Sequence, residues 1–337
     1  MNIRKVYLGL MAILSVALFY EWTSDSKAES VVDHLEAAKV ENLKPQVSDD
    51  GLYVYLENDL LKLKIAIQTG SIVESRLKEY GVENVEGSMG VRVFGSSETG
   101  SFKYYLKTGF TGQPSTYVLN NYGDSFVILK SKDGDLTKEF SFLPNTYEVL
   151  VKDSSDNGVD GKPFASLYRT EGRSLDLKTA VIEGGMMNNS SYQGVVISSD
   201  QDPYLSSRLR SIDEPFSVLS RSGWVSFIQK YFFAVLIGSD DYVYNYFAQP
   251  ANSGTYRMGY TVEKGEATSL VYSHSHRVFI GPKIRKDLAQ RADNLELSID
   301  MGWFWFISQP MVWFLDLINE YVNCLLYTSP SPRDNKA

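Results

Sequence analysis

YVYLENDLLKLKIAIQ, residues 53–68, settles the architecture first. Tyr53 and Tyr55, then Leu61, Leu63, Ile65 and Ile67, recur at every second position. That is the period of a half-buried strand, whereas one face of a helix repeats near 3.6 residues. Asn58-Asp59 supplies the turn between the two runs. Runs of the same kind follow at 125–131 (SFVILKS), 138–144 (KEFSFLP), 146–155 (TYEVLVKDSS), 223–239 (GWVSFIQKYFFAVLIGS), 242–250 (YVYNYFAQP) and 268–282 (TSLVYSHSHRVFIGP). Gly, Asn, Asp and Pro separate them. Many strands without helical patterns between them predict a mainly β fold, a large antiparallel sandwich over residues 51–281. No fixed-period repeat is visible, which disfavours a propeller. Past Gly281-Pro282, KIRKDLAQRADN forms at most a short polar helix within a connecting segment, 282–299.

The chain has 337 residues, 43% hydrophobic and 22% charged, a balance that favours folding over disorder. Its net charge of −8 argues against a nucleic-acid partner, because phosphate binding needs a basic stripe. Cys324 is the one cysteine, so no internal disulfide can form.

Both ends of the chain point to a membrane. Arg4 and Lys5 precede an uncharged apolar run that continues to Phe19, Tyr20 and, beyond Glu21, Trp22. Bulky aromatics stand where a cleavable signal peptide would carry small residues, so residues 1–22 read as an uncleaved signal anchor with Tyr20 and Trp22 at the headgroups. The basic start stays inside, and everything after residue 22 is delivered to the far side. Residues 23–50 are polar and read as a flexible linker, with His34 a solvated side chain within it.

Near the other end, GWFWFISQPMVWF (302–314) gathers three of the five tryptophans and three phenylalanines. Ser308 or Gln309 can cap a helix whose first turn accepts Pro310. On a helical wheel, Gln309, Asp316, Asn319, Glu320 and Asn323 occupy an arc of roughly 100°, and apolar side chains cover the rest. A helix so apolar suits the headgroup layer of a lipid bilayer better than the outside of a soluble sandwich. Residues 300–323 are therefore expected to form an amphipathic interfacial helix, with Trp303, Trp305, Phe306, Trp313 and Phe314 as its contacts.

These stretches carry a resemblance. GPKIRKDLAQRADNLELSIDMGWFWFISQPMVWFLDLINEYVN (281–323) resembles the junction between periplasmic domain and membrane core in the bacterial YidC membrane protein insertases. Its most specific part runs from Gly302 to Pro310. SGWVSFIQKYFFAVLI (222–237) and LTKEFSFLPNTYEVLVKDSSDN (136–157) resemble the same family in order and spacing, with 71–120 and 156–190 the weakest regions. The resemblance implies a bacterial inner-membrane protein with a galactose-mutarotase-like β-supersandwich in the periplasm. It implies insertion and folding of nascent integral membrane proteins, alone or with the Sec translocon and its accessory subunits, with no nucleotide, metal or other cofactor. In that family further spanning helices enclose a hydrophilic, client-binding groove. They would follow the region where this chain ends, so no groove residue is identifiable here. Residues 324–337, CLLYTSPSPRDNKA, resemble a translated sequencing adapter and are expected to be non-native.

Two other readings compete: a membrane-anchored periplasmic carbohydrate-binding or sugar-epimerase-like sandwich, and a docking module for translocon subunits. Sugar isomerisation needs an acid–base pair in a cleft. His274 and His276, at i and i+2 on one strand face, could supply half of it, or could ligate a metal. No spacing singles out a carboxylate partner for either role. The acidic doublets Asp49-Asp50 and Asp240-Asp241 read as turns, and Gly184-Gly185 as a loop. Neither GxSxG nor a P-loop is present, and the sequence proposes no catalytic residue.

Overall fold

Asn58 shows how this sequence begins a strand. Its Oδ1 accepts hydrogen bonds from the N–H groups of Leu60 (2.9 Å) and Leu61 (2.7 Å), turning the chain back on itself. Asp50 does the same for Leu52 at 3.0 Å, and Asp241 accepts from the Ser239 hydroxyl at 2.9 Å, so both acidic doublets serve turns. The computed structural model describes residues 46–81, 90–97, 102–170, 194–229, 231–251, 254–263 and 270–299. The anchor, the linker up to Pro45, the Gly184-Gly185 loop, the aromatic segment and the adapter-like tail lie outside the described residues.

In chain order the first ten strands are β1 (Gln46–Val47), β2 (Tyr53–Glu57), β3 (Leu61–Ala66), β4 (Ser71–Gly81), β5 (Gly90–Arg92), β6 (Gly95–Ser96), β7 (Lys103–Phe110), β8 (Tyr117–Gly123), β9 (Phe126–Ser131) and β10 (Leu136–Phe142). The next ten are β11 (Glu148–Val159), β12 (Pro163–Thr170), β13 (Gly194–Ser198), β14 (Leu205–Arg208), β15 (Phe216–Ser220), β16 (Trp224–Ile228), β17 (Phe232–Ile237), β18 (Val243–Pro250), β19 (Thr255–Glu263) and β20 (Val271–Pro282). One sheet runs β1-β2-β3-β4-β7-β12-β19-β18-β15, with β5 on β4 and β6 on β7. The other runs β14-β13-β16-β17-β20-β11-β10-β9-β8, and every pairing is antiparallel. Strands β7, β12 and β19 of the first sheet face β11, β20 and β16 of the second across a shared core. This is the antiparallel sandwich that the alternation predicts. It extends past the expected limits at both ends, because β1 pairs with β2 and the segment after residue 282 is packed. Among the described residues, no helix is long and apolar enough to cross a membrane.

One phase of the opening stretch reverses the expectation. Val54 and Leu56 are fully buried, whereas Tyr53 and Tyr55 face outward, with the Lys64 ammonium 4.0 Å from the Tyr53 ring. Both phases of YVYLE are apolar enough to go inside. The aliphatic pair wins because it has no hydroxyl to desolvate, while the tyrosines keep theirs in water and pair with lysines.

Strands β13 and β16 are buried throughout. Phe227 points inward and meets Tyr104 of the opposite sheet edge to face, with ring centroids 5.6 Å apart. Trp224 points the other way, and its Nε1–H donates to the Asp293 carbonyl at 3.1 Å. The segment after β20 therefore forms an outer layer over this part of the second sheet. Gly223 lets Trp224 enter: its φ is +121°, and a Cβ there would lie 2.1 Å from the Ser198 carbonyl oxygen. Gly223→Ala is expected to destabilise the chain by about 1–3 kcal/mol, checked by denaturant unfolding; an unchanged midpoint would remove this role.

Candidate functional site

The outer layer is where the sandwich hands the chain on toward residue 300. It contains helix α1 (Arg285–Leu288) and a 3-10 turn (Leu295–Ser298), with Leu288 and Leu295 fully buried. The expectation of a merely polar helix is thus corrected: two leucines, 7 positions apart, insert into the core and hold the segment down. An ionic staple fixes it from the polar side. Glu148, 2% exposed, receives Arg277 at 3.1 Å and Arg291 at 3.0 Å, and Arg291 also reaches Asp287 at 2.8 Å. Burial works against the Arg291 cation, but Asp287 and Glu148 keep its pKa above the ordinary value. The Lys283 ammonium donates to the Ser298 carbonyl at 2.8 Å and lies 5.0 Å from the Phe233 ring. Around this exit Tyr231, Ile284 and Leu297 are exposed, as are Arg285 and Lys286.

The two histidines are inside. His274 and His276 project between the sheets from β20, their rings 4.7 Å apart. The partner that sequence spacing could not pick is Asp153 on β11. Register places Lys138 of β10 opposite Asp153, and Asp153 opposite His274, so the three share one inward row. The Lys138 ammonium donates to Asp153 Oδ1 at 2.5 Å, to the Thr108 hydroxyl at 2.6 Å and to the Thr108 carbonyl at 2.9 Å. Thr108 belongs to the other sheet, so Lys138 ties the two layers together. Asp153 Oδ2 lies 3.3 Å from His276 Nε2, and His276 Nδ1 lies 3.0 Å from the Tyr260 hydroxyl. A proton on Nε2 faces the carboxylate and leaves Nδ1 to accept from Tyr260.

Electrostatics follow from burial. It would raise the Asp153 carboxyl, but Lys138 and His276 outweigh it and hold that group below the usual carboxylate range. Burial also lowers the Lys138 ammonium, with Asp153 opposing, and lowers the His276 imidazole. Burial, with His276 beside it, pushes His274 down to about 3. Burial raises Tyr260 well above its ordinary value, so it keeps its proton. These groups are sealed between the two sheets. Among the described residues, no three His, Cys, Asp or Glu side chains are grouped to hold a metal ion.

Tyr20, Trp22, Trp303, Trp305, Phe306, Trp313 and Phe314, the interface residues read from sequence, lie outside the described residues. What that reading missed is the staple and the buried row. Lys138 had a signal: it alternates with Leu136 and Phe140 in a core-facing phase where a lysine needs a buried partner.

Fold and exit together define a class: a two-sheet antiparallel β-sandwich whose last strand leads through a stapled outer layer to an aromatic segment. The family described as the YidC periplasmic domain matches residues 53–314, and the chain belongs to it. A relative named membrane protein insertase YidC, from Hahella chejuensis (strain KCTC 2396), is 27% identical over 82% of this chain and 52% of its own length. The solved periplasmic domain of Thermotoga maritima YidC aligns over 74% of this chain and 91% of that one at 12% identity and a TM-score of 0.32. A galactose mutarotase related enzyme from Lactobacillus acidophilus aligns over 68% and 97% at 7% identity and a TM-score of 0.41. The chain spans 52% to 65% of the length of the first curated relatives it matches.

Proposed function

We propose that this chain is the anchor, periplasmic module and interfacial helix of a bacterial inner-membrane insertase that assists nascent membrane proteins into the bilayer, alone or with the Sec translocon. The mechanism is non-covalent: a wet groove, carried by spanning helices beyond this chain, lowers the cost of moving polar client residues into lipid. Family membership supports the class of activity. The observation that carries the module's role is the stapled exit, where Glu148, Arg277 and Arg291 clamp the segment that runs directly into GWFWFISQPMVWF. The exposed Tyr231, Ile284, Leu297, Arg285 and Lys286 around this exit suit an anionic headgroup layer.

Two measurements test this reading. With Trp22 and Trp224 replaced by phenylalanine, brominated lipid should quench the remaining Trp303, Trp305 and Trp313; unquenched indoles would exclude the lipid-docked helix. A gene extended past Asn323 should restore membrane-protein assembly in insertase-depleted cells, and failure would count against the activity.

A further inference from the structure

The outer face of the first sheet carries a built recess that the insertase reading does not use. Register lays its side chains out as a grid across β7, β12, β19 and β18. One row is Tyr105, Tyr168, Arg257 and Gln249; the next is Lys107, Ser166, Gly259 and Phe247. The second row has a small floor. A Cβ at Gly259 would lie 1.9 Å from the Ala165 carbonyl oxygen, so only glycine fits, and Ser166 beside it is fully buried.

Arg257 extends over that floor. Its guanidinium carbon lies 4.9 Å from the Phe247 ring centre, 5.6 Å from Tyr168 and 5.7 Å from Phe164. Tyr168 is itself stacked on Tyr105, with ring centres 4.9 Å apart and planes 4° apart. Nε and one terminal nitrogen both donate to the Ser166 hydroxyl, at 3.2 and 3.1 Å. The other donors of the fork have no protein acceptor among the described residues, so a cation fixed by rings on several sides presents an open edge. Beside it is a cleft of about 380 Å³, lined by Phe164, Tyr168, Lys107 and the loop from Thr111 to Ser115. No carboxylate lines it, in a chain whose net charge is −8.

From these features we infer that the cleft binds a small acidic sugar, a polyol ring bearing a carboxylate or a phosphate. Arg257 and Lys107 meet the anion, Arg257 through a fork that matches two oxygens at once. The ring of Phe164 and the outer edge of Tyr168, whose faces Tyr105 and Arg257 already cover, meet the apolar face of the sugar. Thr69, Thr111, Gln113 and Ser115 supply groups that suit its hydroxyls. The volume falls toward the low end of the roughly 300–1,000 Å³ of small-molecule sites. An extended peptide fits less well, because β7, β12 and β19 are interior strands whose backbone groups are committed to the ladders.

The experiment is calorimetric titration of the full chain in nanodiscs with glucuronate, glucose 6-phosphate, glucose, inorganic phosphate and an acidic peptide. The two acidic sugars should bind at least about tenfold more tightly than glucose or phosphate. Arg257→Gln, and independently the surface change Lys107→Ala, should each weaken them by about tenfold with the unfolding midpoint of Lys107→Ala unchanged. Several results would overturn the inference: no heat with either acidic sugar, phosphate or peptide binding as tightly as they do, or binding indifferent to both variants. None of these outcomes bears on lipid quenching of the indoles, so this site and the insertase reading fail separately.

Discussion

Lys138→Met should destabilise the chain by about 3–5 kcal/mol, the cost of removing one member of a buried ion pair. The lysine side chain is fully buried and spends all three ammonium protons, one on Asp153 and two on Thr108 across the sandwich. Methionine fills most of the volume but leaves the Asp153 carboxylate with His276 alone, at 3.3 Å. That carboxylate must then bind a proton or remain charged without adequate compensation, and either course favours unfolding. The Thr108 groups also lose their donor. Lys138→Met/Asp153→Leu should recover most of the loss, since an apolar pair of similar volume can replace a buried ion pair at little net cost. Equilibrium denaturation of the single and double variants is the measurement. A single variant within about 1 kcal/mol of the parent would show that the pair contributes little net stability.

Acidification should weaken the fold well before its carboxylates titrate. His274 has a folded pKa of about 3 against an ordinary 6.5, and burial lowers His276 as well. A base with a depressed folded pKa stays neutral in the native state while the unfolded chain takes up its proton. Its stability contribution is therefore complete above about pH 6.5 and is lost progressively as pH falls toward the folded value. At pH 5 the unfolded chain is 1.5 units below the His274 reference, which amounts to about 2 kcal/mol lost from that residue alone. Asp153, Lys138, His276, Tyr242, Tyr244 and Tyr260 are the titratable groups around the pair. Asp153 is held low, so it is ionised in both states across pH 5–7 and adds no slope there. Burial raises Tyr244 and Tyr260, so both stay protonated. Unfolding free energies measured between pH 7 and 5 should fall accordingly, and His274→Gln should remove His274's share. A pH-independent stability over that range would refute the assignment.

The strands were legible because alternation is local. In KEFSF and TYEVLV the side chain at every second position must meet the core, whatever the rest of the chain does. The buried row was half legible. Lys138 stands at a core-phase position, and a hairpin turning at Pro144-Asn145 brings it opposite Asp153, as the register confirms. Taken separately, a lysine in one strand and an aspartate in the next each look like solvent-facing residues. His274 needed a third strand whose partner lies more than a hundred residues away in the chain, and no spacing encodes that.

Composition and short-range pattern alone determine that this chain folds as a β-sandwich with a strongly aromatic stretch beyond it, since those properties follow from neighbours in sequence. Tertiary structure decides which phase of a doubly apolar strand goes inward: Val54 and Leu56 rather than Tyr53 and Tyr55. It also decides that Lys138, Asp153 and the two histidines share one dry layer, and that Leu288, Leu295 and Arg291 clamp the exit segment over Trp224. Those outcomes depend on which surfaces remain open once the two sheets have stacked. Desolvation of a polar group has no fixed cost until its partners are in place.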